Sequence, residues 1–153
     1  MENAPLDLKD VDPKWLKETL DKSGIRWRVI VISACYSGSF IPALQDDITL
    51  IITASAADRA SFGCSNEADY TYFGRAFFDQ AMRENNSIGA AFEQSKATVA
   101  QWETAQGFEA SEPQWSIGKN MEFMLPQLEQ RLFPAATNLT HKVENTSLNV
   151  QPQ

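Results

Sequence analysis

The chain has 153 residues, 43% of them hydrophobic, with 13 basic against 20 acidic side chains and a net charge of −7. That length and apolar content suit one packed domain, since domains of about 100–150 residues are the commonest. The acidic balance argues against a nucleic-acid partner, because phosphate affinity is carried mainly by clustered Lys and Arg.

Residues 1–11 show no period. Asp12-Pro13 then reads as a helix start, with Asp as N-cap and Pro in the first turn; Trp15, Leu16 and Leu20 give it an apolar side, and Ser23-Gly24 a stop. Residues 27–32 (WRVIVI) form a nearly unbroken, β-branched apolar run, the pattern of a strand covered on both faces of a parallel sheet. A helical turn or two is expected at 40–44, and ITLIITA at 48–54 reads as a second buried strand. Phe73, Phe77 and Met82 sit at helical spacing in 72–83, as do Ala91, Ser95, Val99 and Trp102 in 88–104. A short strand at Gln114–Ile117 and a closing helix at 121–132 follow, and the polar stretch from 134 to 153 reads as a disordered tail. The order predicts an α/β layered sheet of mostly parallel strands flanked by helices, with one domain over 1–133. Two strong strands are few for such a domain.

No apolar run approaches the ~18–20 residues that span a bilayer, and the polar, acidic start MENAPLDLKD does not fit a signal peptide. The cytoplasm is the default expectation for the compartment. Two cysteines, Cys35 and Cys64, are too few for a disulfide scaffold. With no CxxC and no His/Cys cluster, neither a metal nor another cofactor is expected.

Functional groups of open parallel sheets gather just past the carboxyl ends of the strands. Cys35 stands at such a place, where VIVI runs out through Ser33-Ala34 into the small-residue turn Tyr36-Ser37-Gly38-Ser39. There it is either an inert core thiol or a presented nucleophile whose neighbouring N–H groups would stabilise an oxyanion. A thiol nucleophile normally works with a histidine base, and the one histidine, His141, falls in the tail. Asp58-Arg59 follow the second strand and share the sheet edge with Cys35, either as pocket charges or as an exposed ion pair. Ser37 and Ser39 read as turn formers, Glu67 and Asp69 as loop solvation, and Cys64 as structural or an exposed bystander. The sequons at Asn85, Asn138 and Asn145 are short chance patterns. A Cys-based α/β hydrolase would need a Gly where Ser33 stands and a structured downstream His.

VIVISACYSGSF followed by TLIITASAADRASFGCSNEADYTYFGRAFF resembles bacterial members of the legumain-type cysteine peptidase family, of the caspase-like clan. The likeness runs from about Leu6 to Leu132. It implies a caspase-like fold, a peptide or protein substrate, and Cys35 as the nucleophile. Ser55, Asp58, Ser61 and Phe62 would line the substrate cleft, with the Ser61-Phe62 segment running alongside an extended peptide. The family's catalytic His precedes the Cys, at the end of an earlier strand and before a Gly that helps form the oxyanion hole. No His precedes Cys35 here, so the resemblance implies a domain incomplete at its amino terminus, with low activity alone and dimerisation or pairing with the missing amino-terminal segment. Relatives that cleave after Asn carry an acidic residue directly after the nucleophile; Tyr36 holds that position, which leaves the preferred residue open. The competing expectation is a non-catalytic caspase-like binding or assembly module.

Overall fold

The computed structural model describes residues 11–63 and 70–134. Cys64, Glu67, Asp69, His141, the sequons at Asn138 and Asn145, and nearly all of the expected tail lie outside the described residues. So does the start of the family likeness at Leu6.

Three strands form one sheet in the order β1 (Arg28–Ile32), β2 (Thr49–Thr53), β3 (Gln114–Ile117). β1 and β2 are parallel, with Ile30 opposite Ile51. β3 runs antiparallel to β2, with Leu50 opposite Ile117 and Thr53 opposite Gln114. The sheet is therefore mixed, and the reason lies in the preceding loop. Ala56 N–H donates to the Ser111 carbonyl at 2.8 Å, which delivers the chain to the carboxyl end of β2 and obliges β3 to run back along it.

Residues of β2 are buried throughout and alternate between the two faces of the sheet. Leu50, Ile52 and Ala54 join the main core with Phe73, Phe77, Phe92, Val99 and Met121. That core is covered by a helical stretch at 72–84 and by α5 (Ile88–Gln106) and α6 (Lys119–Leu132). The stretch comprises α3 (Tyr72–Gly74), a π-helical segment Arg75–Ala81 and α4 (Met82–Glu84). Helical spacing in the sequence shows the stretch but not its wide middle turn, since one inserted residue leaves Phe73 and Phe77 both buried. No described helix is long and apolar enough to cross a membrane.

α1 (Pro13–Lys22) starts as its sequence predicts: Lys14 N–H donates to Asp12 Oδ1 at 2.7 Å and Pro13 fills the first turn. Arg28 fastens this helix to β1. Its Nε donates to the Ile25 carbonyl at 2.7 Å, and its two terminal nitrogens to Asp21 at 2.9 Å and the Leu20 carbonyl at 3.0 Å. A buried guanidinium is tolerable because its fork is occupied in this way. Hydrogen bonds from Lys17 and then from Arg28 hold the Asp21 carboxyl below its ordinary range. α2 (Ile41–Leu44) follows the Cys35 turn, as the short helix expected at 40–44.

The outer edge of β1 has no strand beside it among the described residues. Val29 is exposed there, and Ile30, Val31 and Ile32 are only half-buried.

Candidate active site

The site is built where β1 and β2, running parallel, end side by side. After Ile32 the chain leaves the sheet through Ser33 and Ala34, and Cys35 emerges exposed. Tyr36 then takes the left-handed conformation, φ 57° and ψ 19°, and a single 3₁₀ turn, Ser37–Phe40, follows. A non-glycine residue is uncommon there. It is held by Tyr36 N–H donating to the Arg59 carbonyl at 2.8 Å, while the Tyr36 carbonyl accepts from Ser39 N–H at 3.0 Å and Ser39 Oγ at 2.7 Å.

Beneath Cys35 two buried serines lock the loop to the exit of β2. Ser37 N–H donates to Ser55 Oγ and Ser55 N–H to Ser37 Oγ, each at 3.2 Å, a reciprocal pair. Ser55 Oγ also reaches the Ala34 carbonyl at 3.2 Å, and Gly38 N–H donates to the Ser55 carbonyl at 3.0 Å. Gly38 is required by this closeness: a Cβ there would sit 2.6 Å from Ala57 N and 2.8 Å from the Ala56 carbonyl carbon. Ser37 and Ser39 are turn residues as expected, but Ser37 also holds the floor of the site.

The thiol faces Ser61. Ser61 N–H points at Cys35 Sγ at 3.2 Å, and Cys35 Sγ lies 3.2 Å from the Ser61 carbonyl. One backbone unit thus offers a donor to a thiolate and an acceptor to a thiol. Of the residues expected to line the cleft, Ser61 is bonded to the thiol, while Ser55 is buried below the loop that carries it. Phe62 is half-buried and stacks on Phe108 at 4.4 Å between centroids. Asp58 is exposed, with its carboxylate 3.9 Å from Arg59 Nε. Arg59 is held by Glu109, and more loosely by Glu112 at 3.8 Å, so it works as a strut between the β2 exit and the 107–113 loop.

Two features are invisible in the linear sequence. Ser33 Oγ lies 2.7 Å from Thr71 Oγ1, which also caps Gly74 N–H at 3.0 Å and so fixes the helical stretch against the end of β1. An aromatic band of Phe62, Phe108, Tyr72 and Trp102 leads away from Ser61. The Ser-Phe and Thr-Tyr-Phe-Gly stretches carry the raw signal, but the pairing needs the fold.

No match was found among curated proteins. A family model described as the peptidase C13 family matches residues 2–124, most of the chain. The matched span takes in β1, the Cys35 turn, β2 and β3. The chain belongs to the peptidase C13 family, the legumain-type cysteine peptidases.

Proposed function

We propose that the protein is a cysteine endopeptidase whose nucleophile is Cys35. The observation that carries this reading is the placement of Cys35 Sγ at the carboxyl end of β1, exposed yet held 3.2 Å from Ser61 N–H. The thiolate adds to the carbonyl carbon of the scissile peptide, forming a C–S bond and an oxyanion that backbone N–H groups beside Cys35 stabilise. Collapse of this intermediate breaks the C–N bond as a protonated base donates to the leaving amine. Water then hydrolyses the thioester and restores the thiol. Ser61, Phe62 and Asp58 line the peptide cleft, and Ser55 forms its floor by holding the Cys35 loop.

The base is a histidine supplied from outside residues 11–63 and 70–134, because no histidine occurs in them. The described residues alone therefore lack general-base help worth about 10²–10⁴-fold, and slow turnover is expected wherever no histidine reaches Cys35. The test is labelling by an electrophilic peptide probe: wild type should be modified at Cys35, and Cys35→Ala should not react. Equal labelling of the two would remove Cys35 from the mechanism.

The open edge of β1 favours a second reading, in which the domain is a binding or assembly module that pairs through this strand. Sizing by light scattering separates the two, since a stable monomer at high concentration speaks against the assembly reading.

A further inference from the structure

An exposed cation stands on the helical turn packed against the end of β1. The Ser33–Thr71 contact brings the first helical turn after Thr71 against the end of β1, where a Cβ on Gly74 would lie 3.8 Å from Ser33 Oγ. The next residue, Arg75, is exposed, and its guanidinium carbon lies 5.7 Å from the centre of the Trp102 ring. Trp102 meets Tyr72 edge-on at 5.6 Å, Tyr72 leans on Phe108 at 6.5 Å, and Phe108 stacks on Phe62, the neighbour of Ser61. A continuous aromatic band therefore joins the residue bonded to the thiol to the residue that carries the guanidinium.

Two observations give this cation a ligand rather than a structural task. The first is contrast with Arg59, the other arginine near the site, which Asp58, Glu109 and Glu112 surround. Arg75 makes no ion pair among the described residues, and its visible contact is the face of Trp102. Stacking on an aromatic face orients a guanidinium while leaving its N–H fork free for a planar anion. The second is local cost. Helix starts favour anions, yet the first turn of this stretch has no acidic residue and Arg75 follows directly.

We propose that Arg75, steadied on Trp102, is a specificity-determining residue that binds the carboxylate of an Asp or Glu side chain in the peptide attacked by Cys35. The fork matches a carboxylate bidentately, which a lysine or an amide ligand cannot reproduce. The inference rests on the reading of Cys35 as nucleophile.

The test uses the full chain and peptidyl electrophiles that carry a single Asp, Asn or Lys at each of the three residues before the reactive group. Wild type should react roughly 10- to 100-fold faster with an Asp probe than with its Asn isostere at one position, the range of a charge-assisted hydrogen-bond pair. Arg75→Gln should erase that preference, Arg75→Lys retain part of it, and Arg75→Glu shift it toward Lys. Equal rates for Asp and Asn at every position, or an acid preference that survives Arg75→Gln, overturn the proposal. Calorimetric binding of unreactive Asp and Asn peptides to Cys35→Ala, with and without Arg75→Gln, gives a readout that needs no thiol. Should probe labelling persist in Cys35→Ala, the nucleophile reading fails and the calorimetry alone decides the role of Arg75. Should Arg75→Gln not fold, the Lys and Glu variants decide it by the same preference ratio.

Discussion

Gly38→Ala should weaken both the fold and the site. The new methyl would lie 2.6 Å from Ala57 N, 2.8 Å from the Ala56 carbonyl carbon and 3.0 Å from the Ser55 carbonyl oxygen. All three are backbone atoms, so no side chain can swing aside, and relief requires the Cys35 turn to lift by about 1 Å from the β2 exit. That movement stretches the 3.0 Å bond from Gly38 N–H to Ser55 and the two 3.2 Å bonds between Ser37 and Ser55. Overpacking of this kind costs about 1–3 kcal/mol. For a chain of this size each kcal/mol lowers the thermal midpoint by about 2–4 °C, so a fall of roughly 2–12 °C is expected. Displacing the nucleophile by about 1 Å should slow peptide-probe labelling at Cys35 by up to about 10²-fold. Thermal unfolding followed by circular dichroism, with peptide-level mass spectrometry of labelled Cys35, reads both. A midpoint within about 1 °C of wild type together with an unchanged labelling rate would refute the close-approach argument.

Other changes test other parts of the molecule. Ser55→Ala leaves the buried Ser37 N–H without its acceptor and should cost about 1–3 kcal/mol in urea unfolding; Ser55→Thr, which keeps the hydroxyl, should cost less. Phe77→Ala removes a fully buried ring stacked on Phe73 at 5.5 Å and should cost about 3–5 kcal/mol, measured at the denaturation midpoint. Asp21 concerns pH: Lys17 and Arg28 lower its folded-state pKa, so its stabilisation is present above the unfolded value near about 4 and is lost as pH falls through the folded value. Asp21→Asn should therefore lower stability slightly at neutral pH and flatten the acid limb of the stability curve, with little effect once pH is below the folded-state value.

How far the sequence reached depended on whether a signal was local. The apolar runs at 27–32 and 48–54 revealed β1 and β2, although only β2 is buried throughout; β1 keeps the same pattern with Val29 exposed and Ile30, Val31 and Ile32 half-buried. Asp12-Pro13 revealed the start of α1 through capping chemistry that needs only neighbouring residues. Cys35 was conspicuous for the same reason, as a reactive side chain placed where an apolar run stops. The direction of β3 was not readable, since it is set by the bond from Ala56 N–H to Ser111 rather than by anything in QWSI. Likewise Asp58-Arg59 left pocket and ion pair equally open, and only the approach of Glu109 and Glu112 makes Arg59 a strut. The role of Ser55 under the Cys35 loop needs Ser37, eighteen residues away, to be visible.

The π-helical turn at Arg75–Ala81 has an evolutionary consequence. Such a turn is an α-helix holding one residue too many, so deleting a single codon within it would restore ordinary winding. Each residue of an α-helix advances the chain by about 100° of rotation. With α4 and α5 held by the core, the loss would swing Thr71 and Arg75 around the helix axis, away from Ser33 and the face of Trp102. The same rotation would carry the fully buried Phe73 out of the core, so the extra residue is what lets Phe73 stay packed while Thr71 and Arg75 keep their partners.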